Sequence, residues 1–293
     1  MKTLSISHIV RYALLGILLS SLPSHASDVL IIADAQLKPV MEVTQGLRKT
    51  LHASTRTYAP AEIKGTLATV LQREDARVVI ALGREALAEA LTLPASVPVI
   101  YGMVVTPPAI SRPNTAGFYM ATPANEYAEL IRRFFPALKH VDVVASRSYL
   151  NMLASNVSAP VTPHSVKSTV EFITMIKQLD TADAILLLPD STIMTSTALQ
   201  ETYLLSFRRR IPLLGISERH VKEGALLALV VDMVQVGRSI GEHAARALKS
   251  GNVGQASSLP PRKFELFLNT DTARKMRISI PDEVVRMARK VYP

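Results

Sequence analysis

The chain of 293 residues contains no cysteine. That absence excludes disulfide frameworks, zinc–thiolate centres and cysteine nucleophiles. It also excludes lipoprotein anchoring, which needs a cysteine at the processed N-terminus. Long apolar runs are missing after residue 26, where charged residues recur every few positions. The usual catalytic signatures are missing too: there is no GxGxxG, no GxxxxGK(S/T) and no HExxH. Gly215-Ile216-Ser217-Glu218-Arg219 fails as a GxSxG elbow at its fifth position. The seven histidines are scattered, and none pairs with another at metal-ligand spacing. His220, near a strand end, reads as a surface residue rather than a catalytic base. With neither a nucleophile–base pair nor a metal cluster, an enzyme is the weaker class, and no cofactor or metal is expected.

What is present is a chain with 48% hydrophobic and 19% charged side chains. That suffices for one large unit or two medium lobes, each burying a core. The first 26 residues read as a secretory signal. Lys2 and Arg11 form a basic n-region, Tyr12–Leu22 a short apolar core, and Ser24-His25-Ala26 a cleavage site after Pro23. The apolar run is about half the roughly 20 residues needed to span a bilayer. A chain starting at Ser27, free in the periplasm, is therefore expected. Cleavage removes two basic residues and no acidic ones, so the net charge falls from +9 to +7. The densest basic run, Arg208-Arg209-Arg210, lies at the end of a predicted helix, where it complements the dipole. No nucleic-acid partner is expected.

Short apolar runs alternate with amphipathic stretches, the βαβ signature of a parallel sheet covered by helices. Strands are predicted at Val29–Ala33, Arg77–Ala81, Pro98–Tyr101, His140–Ala145, Ala184–Leu188, Pro212–Ile216, Leu226–Val231 and Phe264–Asn269. Helices are predicted at Lys38–His52, Lys64–Arg73, Arg84–Leu91, Ala124–Phe135, Thr169–Leu179, Thr197–Arg209, Val234–Lys249 and Thr272–Met276, with Pro281 opening a last one. Ser250–Arg262 is rich in Gly, Ser and Pro and reads as a loop. Residues 76–102 and 182–215 repeat one strand–turn–helix–strand order, which points to two similar lobes. The fold class is thus α/β, with two open parallel sheets.

In such sheets ligands sit beyond the carboxyl ends of strands, which directs attention to the loops after Ala81, Tyr101, Ala145, Leu188, Ile216 and Val231. Gly83-Arg84-Glu85 follows a buried strand and opens a helix, leaving backbone N–H groups free for an anion, or serving as a plain turn. Asp190-Ser191-Thr192 is the corresponding turn of the second half; it either grips a polar ligand or caps a helix. Asp232, at a strand exit, either holds an ammonium group or caps the next helix.

An ordered series of segments carries a resemblance. It runs through VVIALGREAL, VPVIYGMVVTPP, PNTAGF, LIRRFFPALKHVDVVAS and LLLPDSTIMTSTALQ, then IPLLGISERHVKEGALLALVVDMVQVGRSIGEHAARALKSG and KFELFLNTDTARKMRISIPDEV. Over about residues 76–290 the chain resembles the ABC transporter substrate-binding proteins of the branch with tryptophan- and tyrosine-binding members. The resemblance implies the type I periplasmic binding protein fold: two lobes, three crossovers and a cleft that closes on a small molecule. It implies lobes of 27–118 plus 233–263 and of 119–232 plus 264–293. It also implies ligand contacts from Gly83, Arg84 and Glu85, from Asp190, Ser191 and Thr192, and from Ser217 and Asp232.

The chain departs from the family pattern in three places. Arg84 replaces a small hydroxyl residue, which favours a carboxylate-bearing solute if it faces the cleft. The first strand leads into Ala33-Asp34-Ala35-Gln36. The stretch Arg147–Ser168 reads as shortened, with a helix and a strand of the second lobe trimmed. The expected partners are a small amino-acid-like ligand and an inner-membrane ABC permease with its ATPase. The alternatives are a sensor subunit of the same fold, acting on a membrane receptor, and an α/β enzyme with an unrecognised site.

Overall fold

The computed structural model describes residues 27–106, 108–154, 161–254 and 257–293, so the signal segment expected at 1–26 lies outside the described residues. Two sheets organise the chain. Sheet one holds β1 (Val29–Ile32), β2 (Thr55–Tyr58), β3 (Val78–Leu82), β4 (Val99–Val104), β5 (Thr115–Tyr119) and β11 (Ser257–Leu259). Their order is β2-β1-β3-β4-β5-β11, and every pairing is parallel. Sheet two holds β6 (Val141–Ala145), β7 (Val161–Ser165), β8 (Ala184–Leu186), β9 (Leu213–Gly215), β10 (Leu227–Val231), β12 (Phe264–Asn269) and β13 (Lys290–Tyr292). Their order is β7-β6-β8-β9-β10-β12-β13, with β12 antiparallel to β10.

The first five strands of both sheets therefore follow one pattern, second-first-third-fourth-fifth. The repeat read at 76–102 and 182–215 is its third strand, helix and fourth strand: β3, α4 (Arg84–Ala90) and β4 in one sheet, β8, α8 (Ser196–Arg209) and β9 in the other.

Both faces of each sheet are covered, which is why most inner strands read as nearly continuous apolar runs. In sheet one, Val29, Ile31, Val78 and Ile80 pack under α1 (Lys38–Leu47) and α10 (Met233–Ser250). Leu30, Ile32, Val79 and Ala81 point the other way, onto α2 (Pro60–Ile63), α3 (Leu67–Arg73) and α4. In sheet two, Val141, Val143, Leu227 and Leu229 meet α5 (Ala124–Phe134) through Tyr127 and Ile131. Val144, Ile185 and Leu213 meet α7 (Thr169–Gln178) and α8 through Phe172, Ile176 and Ala198.

Helices α1 and α10 pack backbone to backbone. A Cβ added at Gly237 would overlap the Val43 carbonyl, and one at Gly46 the Val234 carbonyl. At such contacts any side chain would force the helices apart.

The chain crosses between the sheets after β5, after β10 and after β11. These crossovers are tied together. The Thr122 hydroxyl donates to the Leu229 carbonyl (3.1 Å), the Asp232 N–H donates to the Lys263 carbonyl (3.0 Å), and Lys263 Nζ pairs with Asp232 Oδ2 (3.2 Å). Tyr127, fully buried, donates its hydroxyl to the Gly215 carbonyl (2.5 Å) and accepts the Leu229 N–H (3.2 Å). It thereby bridges β9 and β10 beyond the end of their ladder, whose register stops at Ala228 and Gly215.

Two expectations fail. The stretch Arg147–Ser168 is not trimmed: α6 (Arg147–Ala154) and β7 stand where a helix and a strand were expected to be lost. They escape the sequence pattern because β7 is an edge strand with Pro163 in it and Val161 as its one buried residue. The loop read at Ser250–Arg262 contains β11, which pairs with β5. Arg208 and Arg209 do end α8 as expected, and Arg209 also holds Asp180 (2.7 Å) and the Lys177 carbonyl (2.8 Å). The remaining helices are α9 (Glu218–Glu223), α11 (Thr270–Met276) and α12 (Asp282–Met287).

Candidate functional site

In each sheet the strand order reverses once, between β1 and β3 in sheet one and between β6 and β8 in sheet two. The loops leaving these strands diverge to opposite faces, and the crevice between them is where open α/β sheets take ligands. The turns singled out in the sequence, Gly83–Glu85 and Asp190–Thr192, follow β3 and β8, one at each reversal.

Gly83 adopts φ 104° and ψ 168°, a conformation side chains rarely reach, and its N–H donates to the Gly102 carbonyl (2.9 Å). It opens α4 without a side-chain cap, and both Arg84 and Glu85 are exposed. The helices beyond sheet two start differently. Thr195 caps α8 through the Ala198 N–H (3.3 Å), Ser217 caps α9 through the His220 N–H (3.2 Å), and Asp232 caps α10 through the Gln235 N–H (2.9 Å). The first-turn N–H groups of α4 are thus left for solvent or for an anion.

Asp190 is turned inward, with 0% of its surface exposed. Its Oδ2 accepts the Ser146 N–H (2.8 Å), and its Oδ1 accepts the Thr192 N–H (3.2 Å) and hydroxyl (2.5 Å). Burial pushes its pKa up, but hydrogen bonds from Ser146 and Thr192 outweigh it and hold the carboxylate below its ordinary range. In this geometry Asp190 organises the crevice of sheet two, leaving Ser191 and Thr192 exposed at its edge.

Asp232 lies in the second crossover, with both carboxylate oxygens engaged by the α10 cap and Lys263. Ser217 sits half-buried at the end of β9 as a helix cap. His220, expected at the surface, is half-buried, and its Nδ1 accepts the Ile216 N–H (3.3 Å).

One residue was missed. Tyr149, in the first turn of α6, donates its hydroxyl to the Pro189 carbonyl (2.5 Å) and so joins the loops after β6 and β8. Burial raises its pKa, the Asp190 charge raises it further, and the Arg84 guanidinium opposes both. The Arg84 guanidinium of sheet one is thus among the charges that bear on the Tyr149 hydroxyl of sheet two. The signal available was the loop after Ala145, already marked as a strand end. Among the described residues no cluster of His, Cys, Asp and Glu is placed to hold a metal ion, and no helix is long and apolar enough to cross a membrane.

Solved structures share this architecture. A conserved domain protein from Vibrio cholerae O1 biovar El Tor is 17% identical, with a TM-score of 0.60 covering 91% of this chain and 99% of that chain. An ABC domain from Streptococcus pneumoniae in complex with L-Trp is 18% identical, with a TM-score of 0.56 over 90% and 99%. The ligand-free, open structure of a substrate binding protein with adhesive properties from Clostridium difficile is 14% identical, with a TM-score of 0.69 over 91% and 99%. At these identities the likeness is one of fold. No curated protein matches the chain. The sequence matches the ABC transporter substrate binding protein family over residues 53–292, and the chain belongs to that family.

Proposed function

We propose that the protein is the periplasmic solute-binding component of an ABC importer, and that it closes on a small carboxylate-bearing, amino-acid-like ligand. The moving bodies are residues 27–118 with 233–263, and 119–232 with 264–293. The observation that carries the reading is that the two polar turns, Gly83–Glu85 and Asp190–Thr192, each stand at the strand-order reversal of one sheet. An uncapped helix start and an exposed guanidinium suit an anionic end, and the hydroxyls of Ser191 and Thr192 suit a polar one.

A ligand that touches both sets favours the closed state by the contacts it lacks in the open one. Asp190 and Asp232 hold the walls and the hinge, so the amino end of the ligand meets other acceptors. The Streptococcus pneumoniae relative was solved with L-Trp, which carries such a carboxylate.

Mass spectrometry of small molecules released from the purified, denatured protein identifies the solute. Calorimetry with that solute, and uptake in cells lacking this chain, then test capture and import. Release of no carboxylate-bearing molecule, together with unchanged uptake, rejects the reading.

A further inference from the structure

Between them α8 and α9 leave a groove of about 660 Å³ that reaches Met194 on the loop after β8, within the size range of small-molecule sites. Leu199 and Leu204 are its apolar side, and Leu204 stays 51% exposed to water. Its other side is Arg219, His220 and Glu223, fixed to α8 by the Tyr203 hydroxyl, which donates to the His220 carbonyl (3.0 Å).

The histidine has a defined proton. Its Nδ1 accepts the Ile216 N–H, so in the neutral ring the hydrogen resides on Nε2. Burial is the main cause that holds the ring below its ordinary pKa, which keeps it neutral at neutral pH. Nε2 has no hydrogen-bond partner among the described residues, and it is not a sealed atom. Beside it, Arg219 spends Nε on Glu223 (2.6 Å) and keeps its terminal amino groups. Two N–H donors thus stand over an exposed apolar floor.

We propose that this groove is a second small-molecule site, taking an apolar ring or chain that carries an acceptor oxygen. The apolar body covers Leu199 and Leu204, and the acceptor oxygen meets His220 Nε2–H and the Arg219 fork. Covering exposed leucine supplies the apolar part of the affinity, and the donors select against plain hydrocarbons. Because the same imidazole holds the Ile216 N–H, one residue before Ser217, an occupant is felt at the end of β9. None of the residues named for the solute between the lobes lines the groove.

The test uses the chain from Ser27 onward and 8-anilinonaphthalene-1-sulfonate, an aromatic body bearing acceptor oxygens. Fluorescence titration is read with nitrogen–proton correlation spectra of the backbone amides. Leu204→Glu puts a charge on the floor. His220→Asn keeps an acceptor where Nδ1 stood, so Ile216 stays paired, but has no atom at Nε2. Equal thermal midpoints establish that both variants fold. The expected result is saturable binding that shifts the amides of residues 199–204 and 216, weakened at least tenfold in each variant. Absence of saturable binding overturns the proposal, as do shifts confined to the loops after β3 and β8. Weakening by Leu204→Glu alone also overturns it, since the surface would then be merely apolar.

Discussion

The Asp190 carboxylate accepts the backbone N–H of Ser146 at 2.8 Å, across 44 residues of sequence but between neighbouring strands. The bond spans the reversal of strand order in sheet two and fixes how far its two loops stand apart. Removing the carboxylate leaves the part-buried Ser146 N–H without its partner and turns the N–H and hydroxyl of exposed Thr192 over to solvent. Asp190→Ala is expected to lose about 1–3 kcal/mol of stability in urea unfolding, the cost of one donor left unsatisfied away from water. Asp190→Asn keeps one acceptor oxygen but sets its amide NH2 against an N–H donor, so it should restore only part of the stability. Equal unfolding midpoints for Asp190→Ala and the parent would show that the carboxylate is not what holds the turn.

Arg84 is exposed at the start of α4 and acts electrostatically on Tyr149. In a closed, dry crevice, truncating a charged partner of a ligand carboxylate costs about 2–5 kcal/mol. Arg84→Ala should therefore weaken the co-purifying solute roughly thirtyfold or more in calorimetry, and Arg84→Lys should restore part of that loss. An unchanged affinity in Arg84→Ala would mean that the guanidinium stays in solvent when the lobes close.

The Tyr292 hydroxyl donates to the Glu218 carboxylate and holds β13 against α9. This bond is the first cause of a Glu218 pKa pushed down to about 2 from 4.5, with burial opposing and Lys290 and Lys222 assisting. A carboxylate whose folded pKa is depressed stabilises the fold above its unfolded value and ceases to do so as pH falls through the folded one. The contribution of Glu218 is thus complete above 4.5 and is lost on the way to about 2. Tyr292→Phe should raise the Glu218 pKa and narrow that window, so the fall of the thermal midpoint on acidification becomes smaller and ends at higher pH. Superimposable midpoint–pH curves for parent and variant would reject the assignment.

Gly237 sits where α10 meets the backbone of α1. Gly237→Ala should destabilise by about 1–3 kcal/mol through overpacking, despite the better helix propensity of alanine. A thermal melt decides it, and a raised midpoint would mean that the two helices separate freely.

The inner strands were legible because both of their faces are buried. Val29–Ile32 and Val78–Leu82 are apolar throughout and need no partner to be recognised, and Val141–Ala145 is apolar but for Asp142. The strands that escaped are those whose pairing is set elsewhere. Thr55–Tyr58 is largely exposed on an edge. Thr115–Tyr119 carries Gly117, where a Cβ would meet the Tyr101 ring. The site was legible as a set of strand-end turns, but not in the direction its side chains take. Nothing local to Pro189-Asp190 says that the carboxylate turns toward Ser146, because that depends on β6 and β8 being neighbours. Tyr149 escaped for the same reason, since its acceptor lies 40 residues away.

The threading of the chain also sets when each half becomes whole. Sheet one receives its outer strand, β11, from Ser257–Leu259, long after its other strands have been made, and sheet two waits for β12 and β13. A growing polypeptide therefore carries two unfinished sheets, with the edges of β5 and β10 unpaired, until its final segment emerges. Contacts this distant close slowly, and open strand edges invite wrong pairing while they wait. Synthesis thus leaves a long interval in which neither half has its full set of strands.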